Sequence, residues 1–174
     1  MAEDSRSSVA RRWEIGAAWL GAALAATGVV VAAMTALPPS LENLSSEVSD
    51  GVTAVPIGDG AEVVVPADWI LTGEGGGNVA VRTPDGVLTA RLETVERDAA
   101  EIIAETPDVE GAARSELLAS GMSATHADLA DGGVVAVVAG PEGGDAVLVV
   151  VEVGADDAAE YRPAIADLLE GIRA

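Results

Sequence analysis

Residues 124–153 read ATHADLADGGVVAVVAGPEGGDAVLVVVEV, and this stretch decides the fold. Three valine- and alanine-rich runs, 124–130, 134–139 and 146–153, are separated by Asp131-Gly132-Gly133 and by Pro141-Glu142-Gly143-Gly144-Asp145. β-Branched side chains suit a pleated surface, and the Gly, Asp and Pro clusters between the runs have the chemistry of tight turns. The spacing therefore predicts an antiparallel meander of three strands.

Downstream, Ile165, Leu168, Leu169 and Ile172 follow the i, i+3, i+4, i+7 pattern of a helix with one apolar stripe. Pro163 is placed in its first turn, or at a kink after a short turn near Asp156. Upstream, Asp98 is a candidate N-cap for a helix carrying Ala99, Ala100, Ile102 and Ile103, and Pro107 closes it. A second helical piece is expected from Asp108 to Ser120, with Gly121 just past its end. Before these, runs 52–57 and 61–65 flank Gly58-Asp59-Gly60, and runs 78–83 and 87–95 flank Pro84-Asp85-Gly86, each pair reading as a hairpin. In the last of these runs Leu88, Ala90 and Leu92 alternate with Thr89, Arg91 and Glu93, so one face is buried and one is wet. Residues 52–174 thus form an α+β domain with an antiparallel sheet, a middle helix and a C-terminal helix.

The N-terminal part has different chemistry. Residues 15–37, IGAAWLGAALAATGVVVAAMTAL, carry no charge, and as a helix they would extend about 34 Å, enough to cross a hydrocarbon core of about 30 Å. Arg6, Arg11 and Arg12 precede the run, and the next basic residue is Arg82, which orients residues 1–14 to the cytoplasm and the C-terminal domain outside. The competing reading is a cleaved secretory signal, disfavoured by the length of the apolar run and by the lack of a clean small-residue cleavage site. Residues 38–51, PPSLENLSSEVSDG, read as a solvated linker. Within the span Ala17, Gly21 and Ala25 recur every fourth residue, a spacing that lets helices approach closely in lipid. In a chain this rich in alanine, composition accounts for the same pattern.

The 174 residues carry 29 acids and nine basic side chains, all arginine, for a net charge of −20. The imbalance lies on one side: residues 1–37 hold three arginines and three acids, and residues 38–174 hold six arginines and 26 acids. Nucleic-acid binding is excluded, because phosphate backbones require clustered cations. The absence of cysteine removes disulfides and metal thiolates. A domain of this charge is repelled by anionic head groups and drawn to cationic partners.

The phrase VVVPADW (63–69), with Pro66 and Trp69 after an early strand, and the terminal IADLLEGIR (165–173) resemble the Mog1/PsbP-like family. The resemblance spans most of Val55 to Arg173. It implies a curved antiparallel sheet with a middle and a terminal helix, and a binding or assembly role with no catalytic set. Similar small domains stand behind N-terminal membrane or lipid anchors in actinobacterial envelope proteins, and the lysine-free, alanine-rich composition is similar to theirs. The chain departs from many relatives in having no Phe and one Tyr, which argues against an aromatic-lined ligand cleft.

Reactive constellations are sparse. His126 lies near Ser123 and Asp128, but on a strand Ser123 and His126 point to opposite faces, and no G-x-S-x-G elbow surrounds the serine. The acid-bearing turns lack a calcium-loop pattern and are read as hairpin turns. Gly73-Glu74-Gly75-Gly76-Gly77 lacks the Lys and Ser/Thr of a phosphate loop, and its acid would repel phosphate. The expectation is a non-catalytic, single-pass membrane protein of the cell envelope, without metal or cofactor, that binds the bilayer through its span and an envelope protein through its outer domain. Trp69, Pro66 and Glu74 are the candidate partner or ligand surface, although a lone tryptophan more often anchors a core. The alternative is an envelope small-ligand carrier or enzyme using a cleft near Trp69 and the 73–77 loop.

Overall fold

The computed structural model describes residues 46–141 and 145–174. The expected tail, span, small-residue face and most of the linker lie outside the described residues. Among the described residues, no helix is long and apolar enough to cross a membrane.

The meander is present. Strands β8 (Ser123–Leu129), β9 (Val134–Ala139) and β10 (Ala146–Glu152) pair antiparallel, with Ala124 opposite Val138 and Val137 opposite Leu148. Both expected hairpins form as well: β2 (Ala54–Ile57) with β3 (Ala61–Val64), and β5 (Val79–Arg82) with β6 (Thr89–Val95). The meander and the β5–β6 hairpin join β1 (Ser46–Val48), β4 (Ile70–Gly73) and β7 (Val109–Leu117) in an eight-stranded sheet of order β1-β4-β5-β6-β10-β9-β8-β7. A smaller sheet has the order β11-β3-β2, where β11 is Ile172–Arg173. Among the described residues the α-helices are α1 (Ala99–Glu105) and α2 (Ala158–Glu170).

Strand β9, VVAVVA, shows how the layers are arranged. A strand that is apolar at every position must be covered on both faces. Val134, Ala136 and Val138 join the main core with Leu168, Leu169 and Ile172, whereas Val135 and Val137 meet Ile103 and Ile102 of α1 on the other face. The apolar stripe of α2 supplies Ile165, Leu168 and Leu169; Ile172, expected on the same helix, falls in β11 yet keeps its place in the core. Pro163 stands inside α2 beyond its first turn.

Local contacts fix the helices. The Asp98 carboxylate accepts from the backbone N–H of Ala100 at 2.9 Å and of Glu101 at 3.4 Å, the N-cap expected from sequence. At the end of α2, a methyl group on Gly171 would lie 2.1 Å from the Val64 carbonyl oxygen, so only glycine lets the chain pass from α2 into β11. Glu170 accepts from the backbone N–H of Ala119 (2.9 Å) and Ser120 (3.1 Å), tying the β7–β8 loop to the same helix end. The Tyr161 hydroxyl donates to Asp85 at the tip of the β5–β6 hairpin.

Two expectations are corrected. The segment 108–120 is not a second helix: residues 109–117 form β7, paired with β8. VEGAARSEL has no apolar stripe to bury, and Asp108 (φ +61°) and Gly111 (φ +77°) occupy left-handed backbone that interrupts a helix. Its alanines favour a helix locally, but the edge of β8 offers backbone pairing on both sides of a bulge at residues 111–113. The linker also ends earlier than Gly51. Ser46–Val48 pair with β4, and Ser49 is buried, donating its Oγ to the Val65 carbonyl at 2.7 Å. The Ser49 N–H donates to the Trp69 carbonyl at 2.8 Å, and Asp50 caps the N–H groups of Val52 and Thr53. The polar composition that suggested a solvated linker here serves buried and turn hydrogen bonds instead.

Candidate functional site

Among the described residues, one face of the eight-stranded sheet is covered only in part by a helix. Helix α1 has seven residues, and its isoleucines reach β8, β9 and the start of β10. Among the described residues nothing covers the same face of β4, β5, β6 and the far end of β10. Strand alternation sends Leu71, Val81, Ala90 and Val151 into the core and their neighbours outward. Register then sets two cross-strand rows on the open face: Ile70, Arg82, Thr89 and Glu152 in one, and Thr72, Ala80, Arg91 and Val150 in the next. Except for Val150, these residues and Glu74 at the rim line a shallow groove of about 270 Å³.

The charges on this face are loosely held. Arg91 meets Glu74 at 3.7 Å with both side chains well exposed, a geometry of little energetic value. Thr89 donates to Glu152 at 3.4 Å, and Arg82 has no ion-pair partner among the described residues. The other four arginines of the domain are engaged. Arg97 meets Glu105 at 2.6 Å, Arg114 and Arg162 converge on Asp128 at 2.7 and 3.3 Å, and Arg173 donates to the backbone carbonyls of Glu170 and Ile172. Partial burial pushes the Asp128 carboxyl up, but the Arg114 hydrogen bond and the charges of Arg162 and Arg114 outweigh it and hold it below the usual range.

A second concavity of about 490 Å³ lies where the β2–β3 turn meets the glycine-rich loop. The Gly58 N–H donates to the Gly77 carbonyl at 2.9 Å, and a methyl group on Gly77 would sit 2.8 Å from the Gly58 Cα, so the close approach of these turns requires glycine. Asp59, Glu96 and Asp145 line this cleft together with Thr94. No cation lines it, which makes it hostile to phosphate, and among the described residues no three acids or histidines are grouped to hold a metal ion.

The expected site residues separate. Trp69 is 5 % exposed and belongs to the main core, so it is an anchor and not a surface ring. Pro66 is half-buried behind β3, and Glu74 is exposed at the rim of the open face. The 73–77 loop does border a cleft, but Trp69 does not line it. Ala17, Gly21 and Ala25 lie outside the described residues. His126 Nε2 faces Glu116 at 3.4 Å, Asp128 is committed to two arginines, and Ser123 stands at the far end of β8 opposite Leu117 and Ala139, so the three do not converge. Sequence reasoning missed Arg82, Thr72 and Glu152. The alternation of Thr89, Arg91 and Glu93 marked a wet strand face, but only the pairing of β6 with β10 and β5 turns it into a surface.

Compared with known proteins, the chain matches no family model and no curated sequence.

Proposed function

We propose that this chain is a membrane-anchored binding or assembly protein of the cell envelope, with residues 15–37 as a single span, residues 1–14 cytoplasmic, and the acidic α+β domain outside. Its role is non-catalytic, and its partner is an envelope protein. The observation that carries this reading is the open face of β4, β5, β6 and β10, a part of the main sheet that no helix among the described residues covers. Half-buried Ile70, Ala80 and Val150 there give a partner apolar surface to cover, and Arg82 and Arg91 give it charges to match.

The sheet edges support docking on the face rather than strand addition. In β7, Glu110 pairs with Asp128 and Arg114 with His126, so three residues of β7 stand against Ala127 alone. Bulges and charged side chains on an edge strand obstruct pairing with another chain, and at the other edge the described part of β1 is short, Ser46–Val48. The resemblance to Mog1/PsbP-like domains favours the same role. A second reading, an envelope carrier of a small cationic ligand, draws on the acidic cleft at Asp59, Glu96 and Asp145.

The test is crosslinking and mild-detergent co-purification of the full-length protein, repeated with an unrelated span in place of residues 15–37. Partners retained after the swap assign docking to the domain, and partners lost assign it to the span. Ligand-dependent melting shifts in a protein that co-purifies with nothing would favour the carrier.

A further inference from the structure

In a domain with more than four acids for each arginine, Arg82 has no acid of its own among the described residues. One strand away on each side of Thr89, the same cross-strand row carries Arg82 on β5 and Glu152 on β10, and among the described residues the side-chain partner of Glu152 is the hydroxyl of Thr89, at 3.4 Å. Arg82 and Glu152 thus flank Thr89 with opposite charges, and β6 lies midway between them. We propose that the open sheet face binds a second copy of this chain, packed by a two-fold over β6 that sets Arg82 of each copy against Glu152 of the other.

Charge singles out this occupant. A generic acidic partner would match Arg82 and leave Glu152 facing like charge; a generic basic partner would do the reverse. A second copy satisfies both at once, because a two-fold interface presents each group and its complement. The groove holds two arginines and two glutamates, so its charge cancels, while the domain as a whole is strongly acidic. Elsewhere two copies would bring acid against acid, which penalises other orientations and favours this register. Arg91 keeps Glu74 beside it, and the half-buried Ile70, Ala80 and Val150 supply the apolar floor that a sheet-on-sheet contact covers.

This inference rests on the reading of the open face as a docking surface, and one experiment separates the two. The chain has no cysteine, so a single introduced thiol reports on one position. Full-length Thr89→Cys protein is treated in its membranes with a short bis-maleimide, with Ala113→Cys on the bulged edge of β7 as the comparison. The expected product from Thr89→Cys has twice the chain mass, and its yield exceeds that from Ala113→Cys. Adding Arg82→Glu lowers that yield about tenfold, and adding Glu152→Arg to that variant restores it. A melting curve for each variant confirms that it folds. Equal homodimer yields at both positions, or a double swap that folds and does not restore crosslinking, would overturn the proposal. A Thr89→Cys adduct to a different protein, without the homodimer, overturns the second copy and leaves the docking face standing. A Thr89→Cys thiol that reacts with a monofunctional maleimide but never crosslinks overturns both.

Discussion

Tyr161 offers an unusually clean test of how α2 is held to the sheet. Its hydroxyl donates to the Asp85 carboxylate at the tip of the β5–β6 hairpin, and that bond, with partial desolvation and the Asp85 charge, pushes the phenol from 10.0 up to about 12. Asp85 moves the other way, held below the ordinary carboxylate range by the Thr83 hydroxyl and then by Tyr161. The folded state therefore prefers the neutral phenol. The stability this bond contributes is fully present below pH 10 and is lost as pH rises from 10 through about 12. The chain has one tyrosine and no lysine, so phenolate absorbance follows this residue alone and no ammonium titrates across the same range. The native protein should give a midpoint near 12, urea-unfolded protein one near 10, and Asp85→Asn should bring the native midpoint back toward 10. Tyr161→Phe should remove the stability loss between those two values. A native midpoint near 10, unmoved by Asp85→Asn, would refute the clamp.

Three further outcomes check the fold. Ser49→Ala deletes a buried donor 2.7 Å from the Val65 carbonyl and should cost about 1–3 kcal/mol in urea unfolding; a change below about 0.5 kcal/mol would return residues 46–51 to the linker. Trp69→Ala should lose about 3–5 kcal/mol by the same measurement, because the ring is 5 % exposed in the main core, whereas a surface tryptophan would cost little. Gly171→Ala should sharply lower the melting temperature, since its methyl would lie 2.1 Å from the Val64 carbonyl oxygen; wild-type melting would mean that α2 does not turn directly into β11.

The parts of this fold legible in sequence are those where local chemistry and tertiary contacts agree. The meander around 124–153 alternates strand and turn signals with no competing pattern, and Asp98 caps α1, whose isoleucines the sheet also buries. The misreading of 109–117 has the opposite cause. Ala112, Ala113 and Leu117 carry helical preference, but every residue from Glu110 to Leu117 is exposed, so the segment's state is set by the free edge of β8 rather than by its own pattern. Ser49 was hidden for a similar reason. A serine in a Ser- and Glu-rich stretch looks solvated, and only the fold brings it to Val65, sixteen positions away. The candidate site was half legible. Thr89, Arg91 and Glu93 announced a wet face, while Arg82 and Glu152 became its charges only through pairings of β5 and β10 with β6.

The central claim is that the open face of β4, β5, β6 and β10 is covered in the cell. The most direct measurement is the rate of maleimide modification at Thr72→Cys and Ala113→Cys in full-length protein, compared between native membranes and a dilute detergent extract. If the account is right, the thiol introduced at Thr72 reacts several-fold more slowly in membranes than in the extract, and the one at Ala113 reacts alike in both. Equal rates for Thr72→Cys in the two preparations would contradict it.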